Sequence, residues 1–196
     1  MSAVYGLILA GGSSSRMHRD KAALPYHGKS QLDRAFELAS RHLSKVFVSV
    51  RASQTADPTR AQRPMIVDCV AGEGPIVGIR SAFAAHPDVA WLVLACDLPF
   101  LSDAALSQLL RERDAHGLAT AYRSAHDGLP EPLCAIWEPA AGPALASYQN
   151  DGGHCPRKFL IRHAASLLEP LDKRALDNVN TPEEYAQALA TLDASS

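Results

Sequence analysis

Residues Leu7–Met17 have the sequence LILAGGSSSRM, and this stretch decides the fold class. Four apolar residues are followed at once by two glycines, three serines and an arginine, which predicts a buried strand that ends at a sharp turn. Gly11 and Gly12 can adopt backbone conformations closed to other residues, so main-chain N–H groups can approach a ligand closely, while Ser13–Ser15 add hydroxyl donors. The stretch therefore predicts a strand followed by a cradle for anionic oxygen atoms.

An ordinary strand-to-helix turn without a ligand is the alternative, and the glycines and serines alone do not separate the two interpretations. Two nearby cations favour the anion site, because Arg16 offers a planar fork to a phosphate and Lys21 a compact charge. Two other phosphate loops are excluded. The first turn lacks the GxGxxG pattern, and the GKS stretch at 28–30 has Ala23 where a P-loop needs its first glycine. We interpret residues 28–30 as a turn and a helix cap.

Short runs rich in valine, isoleucine and leucine alternate with longer segments of helical periodicity, which is typical of an α/β protein. Runs such as WLVLA at 91–95 favour a mostly parallel sheet with helices on both faces. The predicted strands are Val4–Leu9, Val46–Arg51, Met65–Val70, Trp91–Cys96, Ala119–Tyr122, Leu133–Trp137 and Ser166–Leu171. The predicted helices are one capped by Ser30 that ends near Leu43, then Ile76–Ala85, Asp103–Ala115, Ala140–Gln149, Arg157–Ala164 and one that Thr181 caps and Pro182 begins. Residues 52–64 are expected to form one surface loop.

Composition excludes several classes of function. The 196 residues fit one domain, 1–196, and a net charge of −2 gives no basic field for nucleic acid or an anionic membrane surface. No apolar run is long enough for a membrane span, so we expect a cytoplasmic protein. The four cysteines are scattered without a CxxC pair and are expected to be reduced thiols of the core. The histidines lack the HExxH spacing of zinc enzymes.

Two aspartates each follow an apolar run, where open parallel sheets bind their ligands. Asp97 ends WLVLAC, and a carboxylate there can hold a Mg²⁺ ion that bridges phosphate oxygens; a turn residue is the alternative. Asp68 precedes the glycine-rich stretch GEGPIVGI at 72–79. Its glycines indicate either close approach to a ligand or a tight turn into the next helix.

The stretch LILAGGSSSRMHRDKAAL at 7–24 resembles the N-terminal signature of the molybdenum cofactor guanylyltransferases, the MobA-like nucleotidyltransferases. Three later stretches match further motifs of that family in order and spacing: DCVAGEGPIVGI at 68–79, ACDLPF at 95–100 and NVNTPEE at 178–184. The resemblance thus extends from Val4 to about Tyr185. One position departs from the family pattern, because His18 stands where glycine is usual, and this bears on activity more than on fold.

This resemblance implies a Rossmann-like nucleotidyltransferase fold and an enzyme that transfers GMP from GTP to the phosphate of molybdopterin, with Mg²⁺ as cofactor and pyrophosphate as product. It assigns catalytic roles to Arg16, Lys21 and Asp97, the last of which would bind the metal. The nucleotide-binding residues that it implies are Leu9, Ala10, Gly11, Gly12, Lys21 and Asp68. Asn178 and Asn180 match the later asparagine motif, on the acceptor side of the cleft. The expected partners are GTP and molybdopterin, with no nucleic acid or membrane, in a monomer or in transient contact with other cofactor-biosynthesis proteins.

Two alternatives stay open. Cytidylyltransferases of the same pathway usually have LAAG where this sequence has LAGG at 9–12, which favours GTP, and other MobA-like enzymes use a different acceptor. The second alternative is a nucleotide-binding regulatory protein without turnover. His18 favours it, whereas the presence of both Lys21 and Asp97 argues against it.

Overall fold

A computed structural model describes residues 2–10, 21–26, 28–179 and 181–193 of the protein. The strands are β1 (Val4–Leu9), β2 (Pro25–Tyr26), β3 (Lys29–Ser30), β4 (Val46–Val50), β5 (Met65–Val67), β6 (Ala90–Ala95), β7 (Ala119–Arg123), β8 (Pro130–Trp137) and β9 (Ser166–Leu168). The helices are α1 (Gln31–His42), α2 (Pro75–Ala85), α3 (Asp103–Arg111), α4 (Ala141–Asn150), α5 (Pro156–Arg162) and α6 (Pro182–Asp193). Short 3₁₀ turns lie at Lys21–Ala23 and Ala52–Gln54.

A mostly parallel sheet lies at the centre of these elements. In the described parts of the chain it has seven strands, in the order β5-β4-β1-β6-β8-β7-β9. Only β8, among these strands, runs antiparallel to its neighbours β6 and β7. The predicted α/β class and mostly parallel sheet are therefore confirmed. The small hairpin of β2 and β3, which is separate from the sheet, is not anticipated by the sequence analysis.

Helices cover both faces of this sheet, as the continuous apolar strands predict. Successive residues of β1 point to opposite faces, so Ile8 packs in a cluster with Leu32 of α1 and Leu106 of α3. Leu7 belongs to the cluster on the other face, which the helices α2, α4 and α5 complete. The strand β6 is buried along nearly its whole length because both of its faces are covered.

Several predicted elements end earlier in the structure than in the sequence analysis. The edge strand β5 ends at Val67 and not at Val70, because its partner β4 ends at Val50, which pairs with Val67. At the other edge of the sheet, β9 ends at Leu168 and not at the predicted Leu171, because its partner β7 ends at nearly the same level. The helix predicted to reach Ala115 ends at Arg111, and the one predicted to reach Ala164 ends at Arg162.

The predicted helix caps are confirmed. Ser30 Oγ accepts from the backbone N–H of Asp33 at 3.0 Å, so residues 28–30 are the turn and cap that the sequence indicates. Glu184 donates its backbone N–H to Thr181 Oγ1 at 3.2 Å, and the Thr181 N–H donates in return to the Glu184 carboxylate at 3.1 Å. Both helices thus begin at the residues that the sequence predicts.

A third apolar cluster joins the hairpin to the C-terminal helix. Leu24, Tyr26, Val179 and Ala188 are buried in it, and the rings of Tyr26 and Tyr185 meet edge to face at 4.9 Å. This packing holds α6 beside the hairpin, near the carboxyl ends of the central strands.

Two remaining expectations concern cysteines and membranes. The four cysteines all lie in the described ranges and are free, with Cys96 and Cys134 buried as expected. The expectation of a core thiol is wrong for Cys69, which is exposed because the chain has already left β5 there, and only partly met by half-buried Cys155. Within the described ranges, no helix combines the length and apolarity that crossing a bilayer requires.

Candidate nucleotide-binding site

The candidate site lies where the parallel strands β5, β4, β1 and β6 end. Leu9 pairs with Ser49 of β4 on one side and with Ala95 of β6 on the other, so these strands end at one edge. The chain runs from β1 to β4 and β5 on one side and then crosses to β6 on the other side of β1. The ends of β1 and β6 therefore flank a topological switch point, where open α/β sheets bind their ligands.

The two predicted aspartates lie on opposite sides of the end of β1. Asp68 follows β5 and Asp97 follows β6 by one intervening residue, with three strand spacings, about 14 Å, between those two strands. Leu9 and Ala10, two further predicted nucleotide-binding residues that the structure describes, lie between them.

Part of the predicted site lies outside the described residues. This holds for Gly11, Gly12, Arg16 and Asn180, and for His18, the position that departs from the family pattern. Lys21 begins the 3₁₀ turn at 21–23, but its side chain is also outside the description. The roles assigned to these residues stay predictions.

Asp68 is held at the end of β5 by its backbone and its side chain. Its N–H donates to the Val50 carbonyl at 2.9 Å, and its Oδ1 accepts from Ser49 Oγ at 3.4 Å. Partial burial raises the pKa of the Asp68 carboxyl above its ordinary value, and the Ser49 hydroxyl and the nearby charge of Arg51 oppose that rise. Ser49 therefore holds one oxygen of the Asp68 carboxylate.

The glycines after Asp68 have separate explanations. Gly74 is the N-cap of α2 with φ of +75°, a conformation that favours glycine, so the tight turn is confirmed there. Gly78 lies inside α2, where an added Cβ would overlap Ser49 Oγ and lie 3.0 Å from Leu9 Cδ2. Close packing of α2 on the sheet accounts for Gly78 without a ligand.

The raised pKa of Asp68 predicts a pH-dependent stability. The folded protein binds the Asp68 proton more tightly than the unfolded chain, so this group's contribution to stability falls as pH rises from 3.8 through the raised pKa. Asp68→Asn removes this pH-dependent contribution to stability. Urea unfolding between about pH 3 and pH 7 should show wild type losing stability relative to the variant as pH increases. A pH-independent difference between the two proteins would contradict the assignment.

Asp97 lies beside the predicted acceptor motif. Its backbone carbonyl accepts from the Val179 N–H at 3.2 Å, and Val179 is buried in the cluster with Tyr26. Asn178, which is exposed, directly precedes Val179, whose N–H forms this hydrogen bond to Asp97. The structure brings together the predicted metal ligand and the one predicted acceptor residue that it describes.

The predicted role of Asp97 as a metal ligand can be compared with the residues that the structure places around it. Within the described ranges no group of three or more histidine, cysteine, aspartate or glutamate side chains could form a metal cage. Mg²⁺ is usually held by one or two carboxylates together with substrate phosphates and water, so a single aspartate at the strand end fits this ion. The same residues do not fit a structural zinc site, which needs four ligands.

Three contacts near the site are not predicted from the sequence. Gln149 Nε2 of α4 donates to the Ala71 carbonyl at 2.7 Å, and Arg80 of α2 donates to Gln149 Oε1 at 2.5 Å, which ties the loop after Asp68 to two helices. In the loop 52–64, Arg60 is buried and its guanidinium donates to the carbonyl of Ala10. The expectation of a purely surface loop is therefore wrong at Arg60, and no local pattern in the sequence signals it.

Two aspartates thus follow the strands on either side of the switch point of a mostly parallel α/β sheet, which is where such sheets bind their ligands. The chain belongs to the family of the MobA-like NTP transferase domain, whose model matches residues 6–170. It is accordingly a nucleotidyltransferase, and the family predicted from the sequence motifs is confirmed.

Individual relatives agree with this family. The chain is 35% identical over 184 residues to a molybdenum cofactor biosynthesis bifunctional protein of Synechocystis sp., with 94% of this chain and 53% of that protein covered. It thus spans about half the length of that relative. It is 32% identical over 206 residues to the molybdenum cofactor guanylyltransferase of Rhizobium meliloti, which covers 95% of this chain and 90% of that protein.

A solved structure supports the fold. The crystal structure of molybdopterin-guanine dinucleotide biosynthesis protein A from Archaeoglobus fulgidus matches with a TM-score of 0.80 at 22% identity. The match covers 97% of this chain and 99% of that one. The Rossmann-like nucleotidyltransferase fold expected from the sequence is confirmed.

Proposed function

We propose that this protein transfers GMP from GTP to the phosphate of molybdopterin, which yields molybdopterin guanine dinucleotide and pyrophosphate. The observation that carries the proposal is the hydrogen bond from the Val179 N–H to the Asp97 backbone carbonyl, which joins the predicted acceptor motif to the residue after β6. The names of the relatives from Synechocystis and Rhizobium support the molybdenum cofactor as acceptor.

The nucleotide would lie across the end of β1. In this arrangement Leu9, Ala10, Gly11 and Gly12 would wrap the nucleotide, and Asp68, whose carboxylate accepts from Ser49 Oγ, would help to hold the nucleoside. Lys21 would contact the phosphates as a point charge. The distance of about 14 Å between the strands that carry the two aspartates suits a triphosphate with its nucleoside.

Asp97 would hold Mg²⁺ together with oxygen atoms of the triphosphate. When bound, that ion supplies positive charge that stabilises the negative charge on the phosphate oxygens and the leaving pyrophosphate. The N–H of Val179 holds the Asp97 backbone carbonyl, so the backbone that carries this carboxylate is tied to the segment before α6. Arg16 and Lys21 are proposed to neutralise the remaining charge.

The reaction proposed is a single in-line displacement. A phosphate oxygen of molybdopterin bonds to the α-phosphorus of GTP while the bond from that phosphorus to the bridging oxygen of pyrophosphate breaks. The attacking oxygen is already an anion, so neither a protein nucleophile nor a general base is required. Asn178 and Asn180 would orient the acceptor, and catalysis rests on positioning and on charge stabilisation.

The test is to offer the purified protein each nucleoside triphosphate with Mg²⁺ and molybdopterin, and to measure pyrophosphate release. We expect release with GTP, dependent on both molybdopterin and Mg²⁺. Release with CTP alone would replace GTP by CTP in the proposal, and tight GTP binding without any release would favour the regulatory alternative. A cytoplasmic location and transient contact with other cofactor-biosynthesis proteins stay predictions from the sequence.

A further inference from the structure

Arg60 is a charged residue enclosed in the protein at the candidate site. It lies in the polar segment between β4 and β5, yet its side chain is only 1% exposed. Removing a guanidinium from water is unfavourable unless its N–H groups find good acceptors. The burial of this side chain must therefore be explained by the acceptors of its N–H groups.

Two of its donors meet one backbone oxygen. Arg60 Nε and Nη2 donate to the carbonyl of Ala10 at 3.1 and 2.7 Å, fifty residues earlier in the chain. Ala10 is the residue that follows β1, at the entrance to the predicted phosphate cradle. Arg60 therefore holds the carbonyl at the point where the chain leaves β1.

The segment that carries Arg60 is itself ordered by Asp57. The Asp57 carboxylate pairs with Arg60 Nη1 at 3.1 Å and accepts from the Thr59 N–H at 2.9 Å. The backbone carbonyl of Asp57 accepts from the N–H groups of Arg60 at 3.0 Å and Ala61 at 2.8 Å. The guanidinium is thus presented to Ala10 from a preformed turn.

We propose that Arg60 is a positioning residue for the nucleotide phosphates, which acts through the carbonyl of Ala10. This inference rests on the proposed function, because it assumes that phosphates bind where β1 ends. Arg60 holds the Ala10 carbonyl at the end of β1 before the ligand arrives, so the free energy of binding is not spent on ordering it. The role concerns the triphosphate and leaves the acceptor side near Asn178 unaffected.

A purely structural role is the competing explanation, and the chain offers a matched control. Arg113 is also buried, with 5% of its side chain exposed, and it too donates to a backbone carbonyl, that of Ser2 at 3.1 Å. It lies at the opposite end of the sheet, next to Ser2, and is therefore distant from the carboxyl ends of β1 and β6. Arg113→Met therefore removes a buried arginine without touching the site.

The experiment compares Arg60→Met, Arg60→Lys and Arg113→Met with wild type, at a temperature where thermal melts show all four folded. The Kd values for GTP with Mg²⁺ and for inorganic triphosphate are measured, together with the KM for molybdopterin. We expect Arg60→Met to raise both Kd values about tenfold, the effect of losing well-made hydrogen bonds at a binding site. The KM for molybdopterin should stay unchanged, and Arg60→Lys should recover part of the affinity.

The outcomes separate the inference from the proposed function. Unchanged Kd values in folded Arg60→Met, or an equal loss in Arg113→Met, would overturn the positioning role while GMP transfer by wild type continued. If wild type binds GTP but transfers no GMP, the proposed function fails, and weaker triphosphate binding by Arg60→Met still supports the positioning role. Absence of any triphosphate binding by wild type would overturn both.

Discussion

Replacing Asp97 by asparagine is expected to lower the rate of GMP transfer about a thousandfold, the loss typical when a charge-stabilising group is removed from an active site. Asparagine has nearly the same shape but no negative charge, so it would hold Mg²⁺ poorly. The hydrogen bond from Val179 uses the backbone carbonyl of residue 97 and survives the substitution. Pyrophosphate release at saturating GTP, Mg²⁺ and molybdopterin measures the effect.

Asp103 provides the matched control for this prediction. It lies six residues further along the chain in the first turn of α3, with its side chain 52% exposed, and pairs with His42 at 3.1 Å. Asp103→Asn removes the same charge at nearly the same place in the sequence, and it should keep most of the activity because exposed ion pairs contribute little. Equal activities of the Asp97 and Asp103 variants would remove Asp97 from the mechanism. Added Mg²⁺ should partly restore the Asp97 variant alone.

The elements that the sequence predicts well are those with a strong local signal. The limits of β1 match the prediction at both ends, because an unbroken apolar run gives way to glycine. The cap of α1 is also correct, since the Ser30 and Asp33 side chains form a local pair that the spacing reveals. Strand ends at the sheet edges are less predictable, because they depend on where a distant partner strand stops.

The antiparallel direction of β8 could have been predicted from the short connection that precedes this strand. Only residues 124–129 connect β7 to β8, too few for the crossover that parallel neighbours need. The N–H of Ser124 donates to the Leu129 carbonyl at 2.8 Å, and Gly128 has φ of +71°, so the connection is a short hairpin loop. The glycine at 128 and the spacing of the two predicted strands are both visible in the sequence.

The candidate site likewise contains residues with a local signal in the sequence and contacts without one. Asp68 and Asp97 can be predicted, because a carboxylate directly after an apolar run lies at the end of a strand. The contacts of Arg60 with Ala10 and of Gln149 with Ala71 join residues 50 and 78 positions apart. Such contacts depend on the assembled fold, and a single sequence carries no spacing rule for them.

The other large effect is expected far from the site, in the buried ion pair of Arg113 and Glu138. Their side chains are 5% and 2% exposed, and two parallel bonds join them, from Nε at 2.5 Å and from Nη2 at 2.6 Å. Arg113 also donates to Ser2, so the pair links the N-terminal segment to the end of β8. The connection stabilises the amino end of β1, opposite the edge of the sheet that carries the candidate site.

Glu138→Ala should lower the free energy of unfolding by about 3–5 kcal/mol, because it leaves the buried Arg113 charge without its partner. For a chain of this length the melting temperature should fall by about 10 °C. Urea unfolding and thermal melts measure the change. The Kd for GTP should stay close to that of wild type at a temperature where the variant is folded, since the pair lies at the opposite end of the sheet.

A double variant separates the loss of the pair from the cost of the charge that remains. Arg113→Met combined with Glu138→Leu removes both charges and fills the space with apolar atoms, and such replacements of buried ion pairs are often neutral or stabilising. We expect it to recover most of the stability lost in Glu138→Ala. If the double variant is as unstable as the single one, the contribution of this site lies in the bonds to Ser2, because Arg113 would then be needed for them and not for its charge.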